Sequence, residues 1–162
     1  MIFKKIDKKY YKFGSYILFF IYIILLMNVL FFSDYYGRTQ IIDEYTYNII
    51  PFKEIRRFIV YRQNMTFLYW VTNLFGNILA FVPLGFYLPI LSKYYKSFVK
   101  VVVCSFVVSL LIELLQLHFR VGIFDVDDMI LNTLGGAIGY ILYYVAAKVY
   151  TKCKKIKGDT YG

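Results

Sequence analysis

Eight polar side chains lie in or beside long apolar runs, where amides and ionisable groups are costly. They are Asn73 and Asn77, then Glu113, Gln116, Arg120, Asp125, Asp128 and Asn132. Glu113, Gln116 and Arg120 stand at i, i+3 and i+7, and Asp125, Asp128 and Asn132 repeat that spacing, so each triplet can share one helical face. Three chemistries fit the set. Carboxylates and amides together are hard oxygen ligands suited to Mg²⁺ or Ca²⁺, and such an ion could hold a lipid-linked phosphate. Alternatively, Glu113 and Asp125 form an acid–base pair, with burial raising one pKa. Or the set only binds a ligand or partner, and no bond is made or broken.

The plainer role for Asn73, Asn77, Gln116 and Asn132 is interhelical glue, which contributes on average about 0.6 kcal/mol. Glu113 differs, because an intramembrane acid carries a functional expectation and needs a partner; Arg120, two turns on, is the expected one. Asp127 is expected to face water, and the lone His118 to be structural. The sequence has no nucleophile motif, zinc-ligand spacing or phosphate-cradling glycine loop.

Composition says what surrounds these groups. The chain has 162 residues, 60% hydrophobic and 18% charged, against about 45–50% and about 25% in ordinary soluble domains. That excess, gathered in uncharged runs, makes the lipid bilayer the solvent and excludes a soluble globular fold. The net charge of +9 could suggest nucleic acid. Here, however, the lysines flank apolar runs and do not line a polar face, so no nucleic-acid partner is expected. Cys104 and Cys153 are read as free thiols.

The expected fold class is all-α: an integral membrane four-helix bundle with a short amphipathic helix in its first extracellular loop. Residues 1–12 form a basic cytoplasmic tail, 13–147 the membrane domain and 148–162 a second basic tail. The first span begins at Phe13 and carries no charge up to Ser33, long enough for a hydrocarbon core of about 30 Å. After Pro51, the residues Phe52, Ile55, Phe58 and Ile59 fall on one helical face with cations on the rest. This is an amphipathic helix that either lies on the membrane surface or covers the bundle. The second span is Phe67–Leu91, with Pro83 expected to kink it. The third is Val101–Leu117 and the fourth Met129–Ala147, separated by a loop at 118–128. Gly135 and Gly139 form a G-x-x-x-G pattern with Gly136 beside it, a smooth strip that lets a neighbouring helix approach closely.

Positive charge marks the cytoplasmic side. Lys4, Lys5, Lys8, Lys9 and Lys12, then Lys93, Lys96 and Lys100, then Lys148, Lys152, Lys154, Lys155 and Lys157 all fall on one side. These are thirteen of the 19 Lys and Arg. The expected orientation is therefore N-in and C-in. It puts Glu113, Gln116, Asn73 and Asn132 near the outer surface, with Asn77 about 15 Å down by helical rise.

Three blocks of this chain resemble the VanZ-like membrane protein family. They are N-I-I-P-F (Asn48–Phe52), N-I-L-A-F-V-P-L-G (Asn77–Gly85), and the stretch from Glu113 to Gly136. In the last, Glu113, Gln116, Gly122, Asp125, Asp128, Asn132, Gly135 and Gly136 match the pattern E-x-x-Q, G-x-x-D-x-x-D-x-x-x-N-x-x-G-G. The likeness covers about residues 17–147. It implies a small multi-helix protein of the bacterial plasma membrane, some members of the family raising tolerance to lipoglycopeptides such as teicoplanin. The expected function is that of a cell-envelope protein whose outward-facing acid and amide pocket binds or excludes an amphiphile. The alternatives are an enzyme acting on a lipid-linked phosphate or glycan, and a structural partner of envelope proteins. Expected partners are the bilayer itself and a lipid-linked cell-wall intermediate or lipoglycopeptide, with oligomerisation left open.

Overall fold

The computed structural model describes residues 8–32 and 45–159. The first seven residues of the basic N-terminal tail, the segment containing Arg38 and residues 160–162 lie outside the described residues. In chain order come α1 (Lys8–Phe32), β1 (Tyr47–Asn48), α2 (Lys53–Val60), α3 (Phe67–Leu91), α4 (Phe98–Phe119), β2 (Phe124–Asp125) and α5 (Val126–Asp159). Single 3-10 turns at Arg62–Asn64 and Lys93–Tyr95 lead into α3 and α4.

Four of the helices, α1, α3, α4 and α5, are long and apolar enough to cross a membrane. Their outer faces carry large exposed apolar side chains such as Phe20, Leu25, Leu79, Phe106, Leu111 and Ile141. Hydrocarbon accommodates such faces, whereas water would drive them together.

The helix ends follow local chemistry. Thr66 opens α3, its Oγ1 accepting the Tyr69 N–H at 3.4 Å. Ser97 occupies the cap position of α4, so that helix starts three residues before the expected Val101. It closes at Arg120, a non-glycine residue with φ 56°, where the Val121 N–H returns to the Gln116 carbonyl at 3.0 Å. That is the Schellman way of satisfying a last-turn carbonyl. No proline interrupts the chain after Val126, so α5 continues past Ala147 through the basic tail. Its 34 residues reach about 51 Å at 1.5 Å per residue, well beyond the hydrocarbon core.

The helices meet in two ways. Leu26, Leu30 and Phe31 of α1 join Phe81, Leu84, Leu88, Val101 and Ile112 in the apolar core. The glycines bring α5 against α3 and α4 at backbone distance. A Cβ on Gly85 would stand 1.9 Å from the Gly136 carbonyl oxygen, and one on Gly139 would stand 2.1 Å from the Val82 carbonyl oxygen. A Cβ on Gly135 would meet the Ile78 carbonyl oxygen at 2.1 Å, and one on Gly136 the Ser105 Oγ at 2.0 Å. The expected glycine strip is therefore the α3–α5 contact, with Gly85 as its counterpart on α3, and Gly136 also lies against the Ser105 side chain of α4. Near Pro83, which lacks an N–H to donate, the Tyr22 hydroxyl donates to the Ala80 carbonyl at 2.8 Å.

Candidate functional site

The polar residues gather at the end of the bundle where α3 begins, α4 ends and α5 begins. Each long helix contributes through its terminal turns, and the segment 45–60 is bound across them. β1 and β2 make a two-residue parallel bridge, pairing Tyr47 with Phe124 and Asn48 with Asp125. The Phe124 N–H extends it by donating to the Thr46 carbonyl at 3.2 Å.

The acids bind amides of other segments. Glu113 is buried on α4, and its Oε2 accepts the Asp125 backbone N–H at 2.9 Å. Asp125 Oδ1 in turn accepts the Asn48 side-chain amide and the Asp127 backbone N–H, each at 2.8 Å. One carboxylate thereby ties β1 to the start of α5. Burial is the largest influence on the Asp125 carboxyl and pushes its pKa up, while the Asn48 and Asp127 hydrogen bonds pull the other way. From α3, the Asn77 amide donates to Asp128 Oδ1.

Asp127 is where expectation and structure part. The sequence predicts a side chain facing water, yet Asp127 is 1% exposed. Its Oδ1 accepts the Phe52 N–H, and its Oδ2 accepts those of Glu54 at 2.7 Å and Ile55 at 3.1 Å. The cause lies in α2. Its cap position holds Phe52, which has φ 64° and no side-chain acceptor. The first N–H groups of a helix need an acceptor and favour negative charge, so a carboxylate from α5 supplies what α2 lacks.

Other candidates divide. The Gln116 amide donates to the Leu30 carbonyl at 2.9 Å, fastening the end of α1 to α4. The Asn132 amide donates to Ser109 Oγ at 2.9 Å, joining α5 to α4. Asn73 turns back on its own helix, donating to the Tyr69 carbonyl at 2.7 Å, so this amide bond joins α3 neither to another helix nor to the acids. Arg120, the expected partner of Glu113, is exposed at the end of α4. Its guanidinium lies 4.8 Å from the centre of the Tyr45 ring. His118 is also exposed, edge-on to Phe119.

Asn48, Asp127 and Ser109 are site residues that spacing did not single out. A helix start without a side-chain cap was the available signal for Asp127. Asn48 opened a block of the family resemblance but carried no periodicity. Among the described residues, no group of three or more His, Cys, Asp and Glu is arranged to hold a metal ion. Several of the carboxylate oxygens are already taken by amides.

Among the described residues, two buried acceptors at this junction have no donor: Asn48 Oδ1 and Asn132 Oδ1. Buried polar atoms are ordinarily paired, so each calls for a donor from beyond the described residues.

Comparison with known proteins bears on the whole arrangement. Protein VanZ of Enterococcus faecium is 33% identical over 76 residues, which is 47% of this chain and 47% of that protein. The chain thus matches about half the length of its curated relative. No solved structure matches. The VanZ/LLP1 family matches residues 19–147, a stretch that includes part of all four long helices, the polar junction and the glycine contact. On that breadth the chain belongs to the VanZ/LLP1 family, as a multi-pass membrane protein.

Proposed function

We propose that this protein acts in the bacterial cell envelope, in the plasma membrane with both termini cytoplasmic. Its acid and amide junction binds or excludes an amphiphile at the outer leaflet, with α2 and β1 as the cover. The observation that supports this reading is a pair of buried acceptors, Asn48 Oδ1 and Asn132 Oδ1, that have no donor among the described residues and lie at the same end as Glu113 and Asp125. A ligand bearing hydroxyl or amide groups would satisfy them. Lipoglycopeptides of the teicoplanin type carry both such groups and an acyl chain. The family resemblance adds that some members raise tolerance to these drugs.

The test compares strains carrying the wild-type gene, a deletion and Asp125→Ala/Asp128→Ala for susceptibility to acylated and non-acylated glycopeptides. The expected result is greater susceptibility to the acylated drugs alone. Unchanged susceptibility to both removes the resistance role.

One observation favours a second reading, an enzyme on a lipid-linked phosphate or glycan. Burial raises the Asp125 carboxyl, the direction a general acid requires. Purified protein that turns over no polyprenyl phosphate or polyprenyl-linked sugar counts against it.

A further inference from the structure

We propose that α2 reads lipid headgroups, its cationic face taking the phosphate of an anionic phospholipid at the membrane boundary. The inference rests on the reading of α2 as an interfacial cover and adds what that cover touches.

α2 has two distinct sides. Phe58 is buried, its ring 6.0 Å from that of Tyr69, and Ile55 is half-buried beside it. Lys53, Arg56, Arg57 and Val60 stand at i, i+3, i+4 and i+7 and are all exposed, so the helix turns one cationic side outward. A shallow groove of about 370 Å³ runs along that side, lined by Lys53, Glu54, Arg56, Arg57, Val60 and Tyr61. Glu54 Oε2 pairs with Arg57 Nη2 at 2.6 Å and offsets one charge. Lys53 and Arg56 have no ion-pair partner among the described residues and are the cations offered to an anion.

The height of α2 follows from its packing partner. Tyr69 is in the first turn of α3, whose apolar span begins at Phe67. The helix therefore rests where hydrocarbon gives way to headgroups. Around it Tyr47, Ile49, Ile50, Phe52, Ile59 and Tyr61 are exposed, the aromatic and apolar side chains that suit an interface. A cationic groove ringed by such residues is complementary to a phosphate carried on an acyl chain, and the arginine fork matches phosphate oxygens. The charge also stands against its surroundings. Of the six Lys and Arg expected on this side, Lys53, Arg56, Arg57 and Arg62 fall within ten residues.

Trp70 gives a local readout. It is the only tryptophan of the chain, next in sequence to the Tyr69 on which α2 rests, and Arg62 lies 5.5 Å from its ring centre. Full-length protein is reconstituted in phosphatidylcholine vesicles containing phosphatidylglycerol or phosphatidylcholine spin-labelled near the headgroup. The anionic label is expected to quench Trp70 at a mole fraction at least about fivefold lower than the zwitterionic one, the effect of one uncompensated cation near a surface. Salt narrows that difference. Lys53→Gln/Arg56→Gln abolishes it, and the charge-retaining Lys53→Arg/Arg56→Lys keeps it, which separates loss of charge from loss of fold. Equal quenching of the wild type by both lipids overturns the proposal, as does a Gln variant that keeps the difference. The assay contains no drug and leaves Asp125 and Asp128 intact, so its failure is distinct from a failure of the susceptibility test.

Discussion

The glycine contact and the polar junction hold the same helices together by opposite means. In the middle of the bundle, α3 and α5 touch backbone to backbone at Gly85, Gly135, Gly136 and Gly139, and contact works because side chains are missing. At the end of the bundle the fastening is directional: Asn77 to Asp128, Glu113 to Asp125, Asp127 to α2. Steric contact of the first kind tolerates no added atom. Bonds of the second kind can be released one at a time without the helices separating. The bundle is thus held by close packing at its centre and by discrete hydrogen bonds at its polar end.

The sharpest way to break this contrast is at the glycines. Gly85→Ala sets a methyl 1.9 Å from the Gly136 carbonyl oxygen, and backbone cannot step aside. We expect a loss above about 2 kcal/mol, seen as little or no monodisperse protein after extraction. Gly136→Ala meets Ser105 Oγ and Cβ at 2.0 and 2.6 Å, side-chain atoms, so adding Ser105→Gly restores part of the yield. Rescue of Gly136→Ala and none of Gly85→Ala is the expected pattern. Well-folded Gly85→Ala protein refutes the backbone contact.

Asp127→Ala comes next. It strips an acceptor from three N–H groups of α2 and its lead-in, worth about 1–3 kcal/mol for charged and cap hydrogen bonds. Because the bonds hold the cover alone, hydrogen exchange should quicken within 52–60 while α3 and α5 remain protected. Equal quickening throughout would mean that the two regions are one unit.

Asp125→Asn has the smallest effect and sharpens the comparison by pH. A carboxyl raised on folding binds more protons in the native state than in the unfolded one between its ordinary value of 3.8 and its raised value. Native stability from this group therefore falls as pH climbs through that window. The Asn Oδ1 can still accept from Asn48 and Asp127. Asp125→Asn should then gain on the wild type as pH rises above about 4, measured by thermal unfolding in detergent. A gap independent of pH would show that Asp125 titrates as it would in water.

How much of this the sequence announced depended on whether the signal was local. Phe67–Leu91 reads off its residues because Thr66 caps a charge-free run, and the glycine strip follows from helical spacing. The bond from Asn77 to Asp128 was not legible from depth, which set Asn77 about 15 Å down by helical rise and Asp128 in the loop above it. The stripe argument failed at Asp127, since periodicity sorts residues on one helix and says nothing about a helix end seventy residues earlier. It also could not foretell that Phe52 would adopt a left-handed backbone. Asn73 and Arg120 fit the spacing rule too, yet the choice of partner rests on side-chain directions that spacing leaves open.

The cover has a consequence for how the protein is made. β1 and α2 take their partners from Phe124, Asp125 and Asp127, each more than seventy residues further along. A chain emerging from the ribosome has produced α2, α3 and α4 before any of those acceptors exists. Until α5 is threaded, the first N–H groups of α2 have only water or headgroups to bind. The bonds that seat the cover can therefore form only once synthesis has passed Asp127.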